Sequence, residues 1–268
     1  MDALPTIKDN KIFWENPQYW EKIDDGDYWS RQWGSPSSQW VRTIFPRIHK
    51  YLPTGRILEI APGFGRWTQY LKELCRELAV VDLSEICIER CRERFSSSKH
   101  IEYHVNDGKT LDMIPDKSID FVFSFDSLVH ADDGVIESYL TQLASKLKPN
   151  GVGWFHHSNL GEYKLFFPRN KVLRFGISFG LSNFLGFDRG GRDWTMTAKK
   201  FEQFTEKAGL QTISQEKINW LNRPYFLIDC ISVFTPRNSQ FARPNSILSN
   251  GHFMDEVNSA RNLCVLYG

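Results

Sequence analysis

A repeated order of short apolar run, turn and helix-length segment constrains this chain more than any other feature. The first run, Arg56-Ile57-Leu58-Glu59-Ile60, reads as a buried strand ended by Ala61-Pro62-Gly63-Phe64-Gly65, and a helical pattern follows from Arg66 to about Leu74. Leu78–Asp82 is the second strand, after which Ser84 stands where it would cap a helix through Phe95. Ile101–Val105 is the third and Ile119–Phe125 the fourth. A helix from about Val135 to Leu147 stops at Lys148-Pro149-Asn150-Gly151, and Gly151–His156 is the fifth strand. This alternation predicts a doubly wound α/β fold, with a mostly parallel sheet and a ligand crevice at the carboxyl ends of its strands. Further on, Thr197 opens a helix through Lys207 that Gly209 ends. Two last strands, near Thr212–Trp220 and Phe226–Phe234, lack a helix-length connection, so they predict an antiparallel edge hairpin and seven strands in all.

The flanks differ from this core, which spans residues 55–235. Residues 1–54 carry Trp14, Tyr19, Trp20, Tyr28, Trp29, Trp33 and Trp40 between prolines, the pattern of a cap of short helices. Residues 159–194 interrupt the rhythm with Phe, Gly and Arg and are expected to form an inserted lid, while the polar tail 236–268 receives no structure. A formal net charge of +1 gives no general electrostatic reason to expect nucleic acid or an anionic membrane as partner. The N-terminus has no signal-peptide core, and no run is long and apolar enough to span a bilayer. The 5 cysteines have no metal-site spacing, so buried, reduced thiols and a cytoplasmic location are expected.

Three polar features stand at successive strand ends. The Gly63-Phe64-Gly65 turn lets a backbone approach a ligand, and the helix start behind it offers amide donors. Asp82 can accept both hydroxyls of a ribose, and Asp107, in Asn106-Asp107-Gly108, can accept from an adenine amino group. Singly, Asp82 also reads as a helix cap and Asp107 as a turn former; together the three predict nucleoside binding. Thr68 occupies the position of a pyrophosphate binder's last glycine, and Glu59 suits a ligand with an ammonium group; both favour S-adenosylmethionine over NAD.

These motifs resemble the class I S-adenosylmethionine-dependent methyltransferase family over about residues 55–235. Leu58-Glu59-Ile60-Ala61-Pro62-Gly63-Phe64-Gly65 is similar to its first motif, with Ala61 where the family usually has glycine. Val81-Asp82-Leu83-Ser84 resembles the acidic second motif, Asn106-Asp107-Gly108 the adenine loop, Phe121–Asp126 the fourth motif, and Leu147–Gly153 the later turn. The resemblance implies cofactor contacts at Glu59, Ala61, Gly63, Gly65, Asp82, Leu83, Asn106, Asp107, Gly108 and Phe125. Trp33-Gly34, Arg66-Trp67-Thr68, Ser127–His130 and His156–Asn159 further resemble bacterial sugar and natural-product O-methyltransferases. That implies a small-molecule acceptor with a hydroxyl, such as a sugar or glycosylated metabolite.

Transfer to an alcohol needs a base, and histidine suits that task near neutral pH. His130 follows the fourth strand, where it reads equally as a base or as a residue packed beneath the cofactor. Of His156 and His157, which point to opposite sides of one strand, His157 is preferred and His156 is assigned to the core. Asp126 is expected to orient His130 or the acceptor. A Mg²⁺ site at Asp126, Asp132 and Asp133 is possible but not favoured, because Asp132-Asp133 reads better as a helix cap. Trp29 and Trp33 are the expected cofactor or sugar contacts within the aromatic cap. The alternatives are methylation of an amine, an NAD-dependent oxidoreductase, or a non-catalytic nucleoside-binding partner subunit.

Overall fold

The strands read from the sequence form one sheet, and the tail adds to it. The structure, a computed structural model, describes residues 6–16, 18, 22, 24–164, 191–220 and 224–267. Its strands are β1 (Thr54–Ile60), β2 (Cys75–Asp82), β3 (Ile101–Val105), β4 (Ile119–Ser124), β5 (Leu147–Ser158), β6 (Leu210–Ile218), β7 (Asp229–Pro236) and β8 (Ser246–Asn250). They lie in the order β3-β2-β1-β4-β5-β7-β6-β8. β1 to β5 are parallel, and β7 runs antiparallel to both β5 and β6. The sheet therefore has eight strands rather than seven. β8 pairs in parallel with β6 and takes the edge expected of the hairpin. It left no hydrophobic signature because Ile247 and Leu248 are exposed.

Among the described residues the α-helices of eight or more residues are α1 (Ile7–Trp14), α2 (Glu85–Arg94), α3 (Asp133–Lys146), α4 (Ala198–Lys207) and α5 (Phe253–Tyr267). Ser84, Asp132 and Thr197 cap α2, α3 and α4 by accepting from the backbone amides of Cys87, Val135 and Lys200. The helix expected over Arg66–Leu74 is shorter: Thr68–Leu71, closed by a 3₁₀ turn at Lys72–Leu74. Most of the expected lid, residues 165–190, lies outside the described residues, as do Tyr19 and Trp20.

Successive strand residues point to opposite faces. Ile57, Val80, Phe121, Phe123 and Trp154 join one core cluster, while Leu58, Val81, Val122 and Phe155 join the other. α3 and α4 cover the second face with Ile136, Leu140, Leu143 and Phe201. The first face has only the four-residue helix after β1 and α2 from the crossovers. The aromatic N-terminal segment and α5 complete that layer: Trp33, Trp40, Ile44, Phe253 and Val257 sit in its core. Among the described residues no helix is long and apolar enough to cross a membrane.

Candidate active site

A cleft of about 860 Å³ opens at the carboxyl ends of β1, β2 and β4, roofed by α1 and the aromatic cap. Ligand pockets commonly enclose about 300–1,000 Å³. One half is built from the turns after the first strands: Ala61–Phe64, Asp82, Leu83 and Gly108 line it. Ala61 and Gly63 both have φ +57°. Ala61 holds this left-handed backbone at a conformational cost of about 1–2 kcal/mol. Its amide donates to the Val81 carbonyl (2.8 Å) and its carbonyl accepts from Ser127 Oγ (2.8 Å), so both neighbouring strands pin the turn.

Asp82 is fixed by two backbone donors. Its Oδ2 accepts from Gly63 N (3.1 Å) and its Oδ1 from Ser84 N (2.8 Å). Burial raises its pKa to about 6 against these stabilising amides. Glu59 lies beneath the turn, wholly buried, and burial raises its pKa to about 8. Its Oε2 accepts from Thr68 Oγ1 (2.6 Å) while Oε1 has no hydrogen-bond partner.

The other half is aromatic and charged. Phe13, Trp14, Tyr28, Trp29, Trp67, Phe125 and Trp220 supply its apolar walls, and Arg66, Asp126, His130 and Arg192 its polar groups. Arg66 Nη2 donates to Asp126 Oδ2 (2.8 Å), with the guanidinium 4.6 Å from the Trp67 ring centroid. His130 Nδ1 lies 3.1 Å from the Gly191 carbonyl oxygen. Desolvation lowers the His130 pKa, helped by Arg192 and opposed by the Gly191 carbonyl, Asp126 and Asp229.

Residues 57–151 match the family described as "Methyltransferase domain". That stretch is a methyltransferase domain. No curated protein matches the chain's sequence. Among solved structures it resembles an S-adenosylmethionine-dependent methyltransferase from Leishmania major, with a TM-score of 0.58 and 11% identity over 88% of this chain and 87% of that one. An S-adenosylmethionine-dependent methyltransferase from Clostridium acetobutylicum gives 0.55 and 16% over 82% and 96%. A Pyrococcus horikoshii protein gives 0.51 and 19% over 83% and 93%. At these identities the likeness is one of fold.

The donor set fits S-adenosylmethionine. The Asp82 carboxylate keeps acceptor capacity beyond its two amide contacts, which suits a ribose diol. The Gly63 backbone forms a wall without a side chain. Leu83, Gly108, Phe125, Asp126 and His130 also line the cleft.

Several expected contacts lie elsewhere. Trp33 is wholly buried in the core between Trp220 and Phe253, its Nε1 donating to Thr43 Oγ1 (2.8 Å). Trp29, its neighbour in the same 3₁₀ segment, lines the cleft instead. Gly65 faces Phe95, not the cleft; a Cβ there would lie 2.5 Å from the Phe95 ring. Asn106 shapes the loop rather than a ligand site: Oδ1 accepts from Gly108 N, and Nδ2 donates to the Thr110 carbonyl and Tyr139 hydroxyl. Asp107 is the turn former, its Oδ1 accepting from the amides of Lys109 and Thr110 and from Thr110 Oγ1. Glu59 is not part of the cleft lining.

Neither histidine of β5 lines the cleft, so the preference for His157 is overturned while the core assignment of His156 stands. His157 is wholly buried on the far face, stacked on Phe201, with Nε2 2.8 Å from Ser232 Oγ and a pKa lowered by burial to about 4. His156, assigned to the core, is buried on the cleft side between Phe125 and Trp220. Asp132 and Asp133 go to the cap of α3 and to Lys200. Among the described residues no group of three metal-ligating side chains forms. Arg66, Arg192 and Trp220 are cleft residues the sequence reading missed. Arg192 pairs with Asp229, 37 positions away, and no local pattern marks such a partner.

Proposed function

We propose that the methyltransferase acts on a hydroxyl of a small polar acceptor, a sugar or glycosylated metabolite, with His130 as the general base. Bound S-adenosylmethionine supplies a methyl group activated on a sulfonium. The residues of the chain then have to place the acceptor oxygen, take its proton and exclude water. The observation that carries this reading is the 3.1 Å contact of His130 Nδ1 with the Gly191 carbonyl. A carbonyl oxygen only accepts, so Nδ1 holds the proton and Nε2 keeps the lone pair a base needs. The lowered pKa keeps the ring neutral at pH 7. Trp14, Trp29 and Tyr28 offer faces on which a sugar ring stacks.

The test is release of S-adenosylhomocysteine from wild-type and His130→Ala protein over a panel of sugar and amine acceptors, with and without chelator. His130→Ala should lower kcat roughly 10²–10⁴-fold, the usual contribution of a positioned base. It should abolish the acid limb of the pH profile and leave S-adenosylhomocysteine affinity unchanged. Turnover of amines alone would overturn the acceptor class. Near wild-type kcat in His130→Ala would overturn the base, and activity lost to chelator and restored by Mg²⁺ would replace it with a metal site.

A further inference from the structure

We propose that His156 and Asp229, two wholly buried residues outside the cleft lining, are positioning residues for methyl transfer that fix Asp126 and Arg192 around His130. The proposal rests on His130 being the base. His156 on β5 and Asp229 on β7 belong to adjacent antiparallel strands, in which Asp229 stands opposite Ser158. Two residues along a strand share a face, so the His156 and Asp229 side chains meet on the cleft side of the sheet. The His156 ring is held between Phe125 (centroids 4.6 Å apart) and Trp220 (5.1 Å).

Its two nitrogens have different partners. Nδ1 lies 3.2 Å from the Asp126 backbone amide. An amide nitrogen only donates, so Nδ1 carries the lone pair and Nε2 the proton. Nε2 lies 3.2 Å from Asp229 Oδ2, a charge contact in which that nitrogen makes no hydrogen bond. Asp229 in turn accepts from Arg192 Nε (2.6 Å) and Nη2 (2.7 Å) in a two-point clamp. The ring thus stands between the two acids whose partners, Arg66 and Arg192, line the cleft.

The arrangement is more than the fold requires. Asp126 holds φ +64°, a left-handed conformation that a non-glycine residue keeps only when its surroundings impose it. His156 Nδ1 and Arg66 are those surroundings. A buried arginine–carboxylate pair commonly stabilises no more than apolar residues of the same volume, so core stability alone gives little reason to keep Arg192–Asp229. What the pairs supply is a charge-balanced frame. Arg192, Asp126 and Asp229 act on His130, and Arg66 neutralises Asp126. The other acids lining the cleft are committed elsewhere: Asp9 to the cap of α1, Asp132 to the cap of α3, and Asp82 to the amides of Gly63 and Ser84.

Removing either member of the Arg192–Asp229 pair should move the His130 limb of the kcat–pH profile, in opposite directions. Asp229→Asn removes a carboxylate that holds the His130 pKa up, so the limb should shift to lower pH. Arg192→Gln leaves Asp229 unpaired, so it should shift to higher pH. Both should lower kcat by about 10–100-fold through misplacement near the reacting atoms, with S-adenosylhomocysteine affinity retained. A merely structural pair would change yield or Tm and leave the limb in place. A limb that depends on His130 but is unmoved, or moves the same way in both variants, overturns the positioning role and spares the base. A limb that survives in His130→Ala overturns the base itself. Should either variant fail to fold, ring-nitrogen NMR of the wild-type protein decides. The proposal requires the His156 proton on Nε2, and a proton on Nδ1 overturns it.

Discussion

Replacing Asp82 with asparagine tests the cofactor half of the cleft most directly. A carboxylate has about four lone-pair positions. Gly63 N and Ser84 N occupy one on each oxygen, which leaves one on each for the two hydroxyls of a ribose. Asparagine keeps the shape but has a single oxygen. Its NH₂ must face either Gly63 N–H or Ser84 N–H, donor against donor, and it can accept from only one ribose hydroxyl. A hydrogen bond to a charged group contributes about 1.5–3 kcal/mol. One lost outright and a second made to a neutral oxygen amount to about 2–4 kcal/mol, or roughly a 30- to 1,000-fold rise in Kd. Titration calorimetry with S-adenosylhomocysteine measures it. A pH series adds a second reading, because the Asp82 pKa stands at about 6. Hydroxyl donors require the ionised form, so wild-type affinity should be full above pH 6 and fall below it, and the asparagine variant should lose that dependence. Wild-type Kd in a folded Asp82→Asn protein at pH 7.5 would refute the assignment.

Trp33→Ala should cost about 3–5 kcal/mol of stability by opening a cavity between Trp220 and Phe253. Denaturant unfolding measures this, and folded protein should bind S-adenosylhomocysteine normally; lost affinity at unchanged stability would return Trp33 to the cleft. Glu59 gives a stability signature in the ligand-free protein. Its folded pKa of about 8 lies above the 4.5 of an ordinary glutamate, so its contribution is full below about pH 4.5 and is lost as pH rises through 8. Tm should therefore decline across that interval in the wild type and flatten in Glu59→Gln, which keeps an oxygen for Thr68; parallel Tm–pH curves would show that the buried group carries no such penalty.

Much of this molecule is decided within a few residues of chain. The strand at Ile101–Val105, the caps Ser84, Asp132 and Thr197, and the turn after β1 follow from apolar runs and from side chains that reach amides two or three positions away. These local rules placed Asp82, Leu83, Gly108 and His130 at the carboxyl edge of the sheet and so located the cleft. Local pattern could not choose between like residues on one element. Trp29 and Trp33 share a 3₁₀ segment, and it is Phe253 and Trp220, from the far end of the chain, that draw Trp33 into the core. His156 and His157 alternate on β5, and the neighbours on each face, Phe125 and Trp220 against Phe201 and Ser232, settle what each buried ring packs against. Nor does any local signal join Arg192 to Asp229, or foretell a strand as exposed as β8. Periodicity and capping are short-range, written in consecutive residues, whereas the direction of a side chain into core or cleft depends on which distant surfaces fill the remaining space.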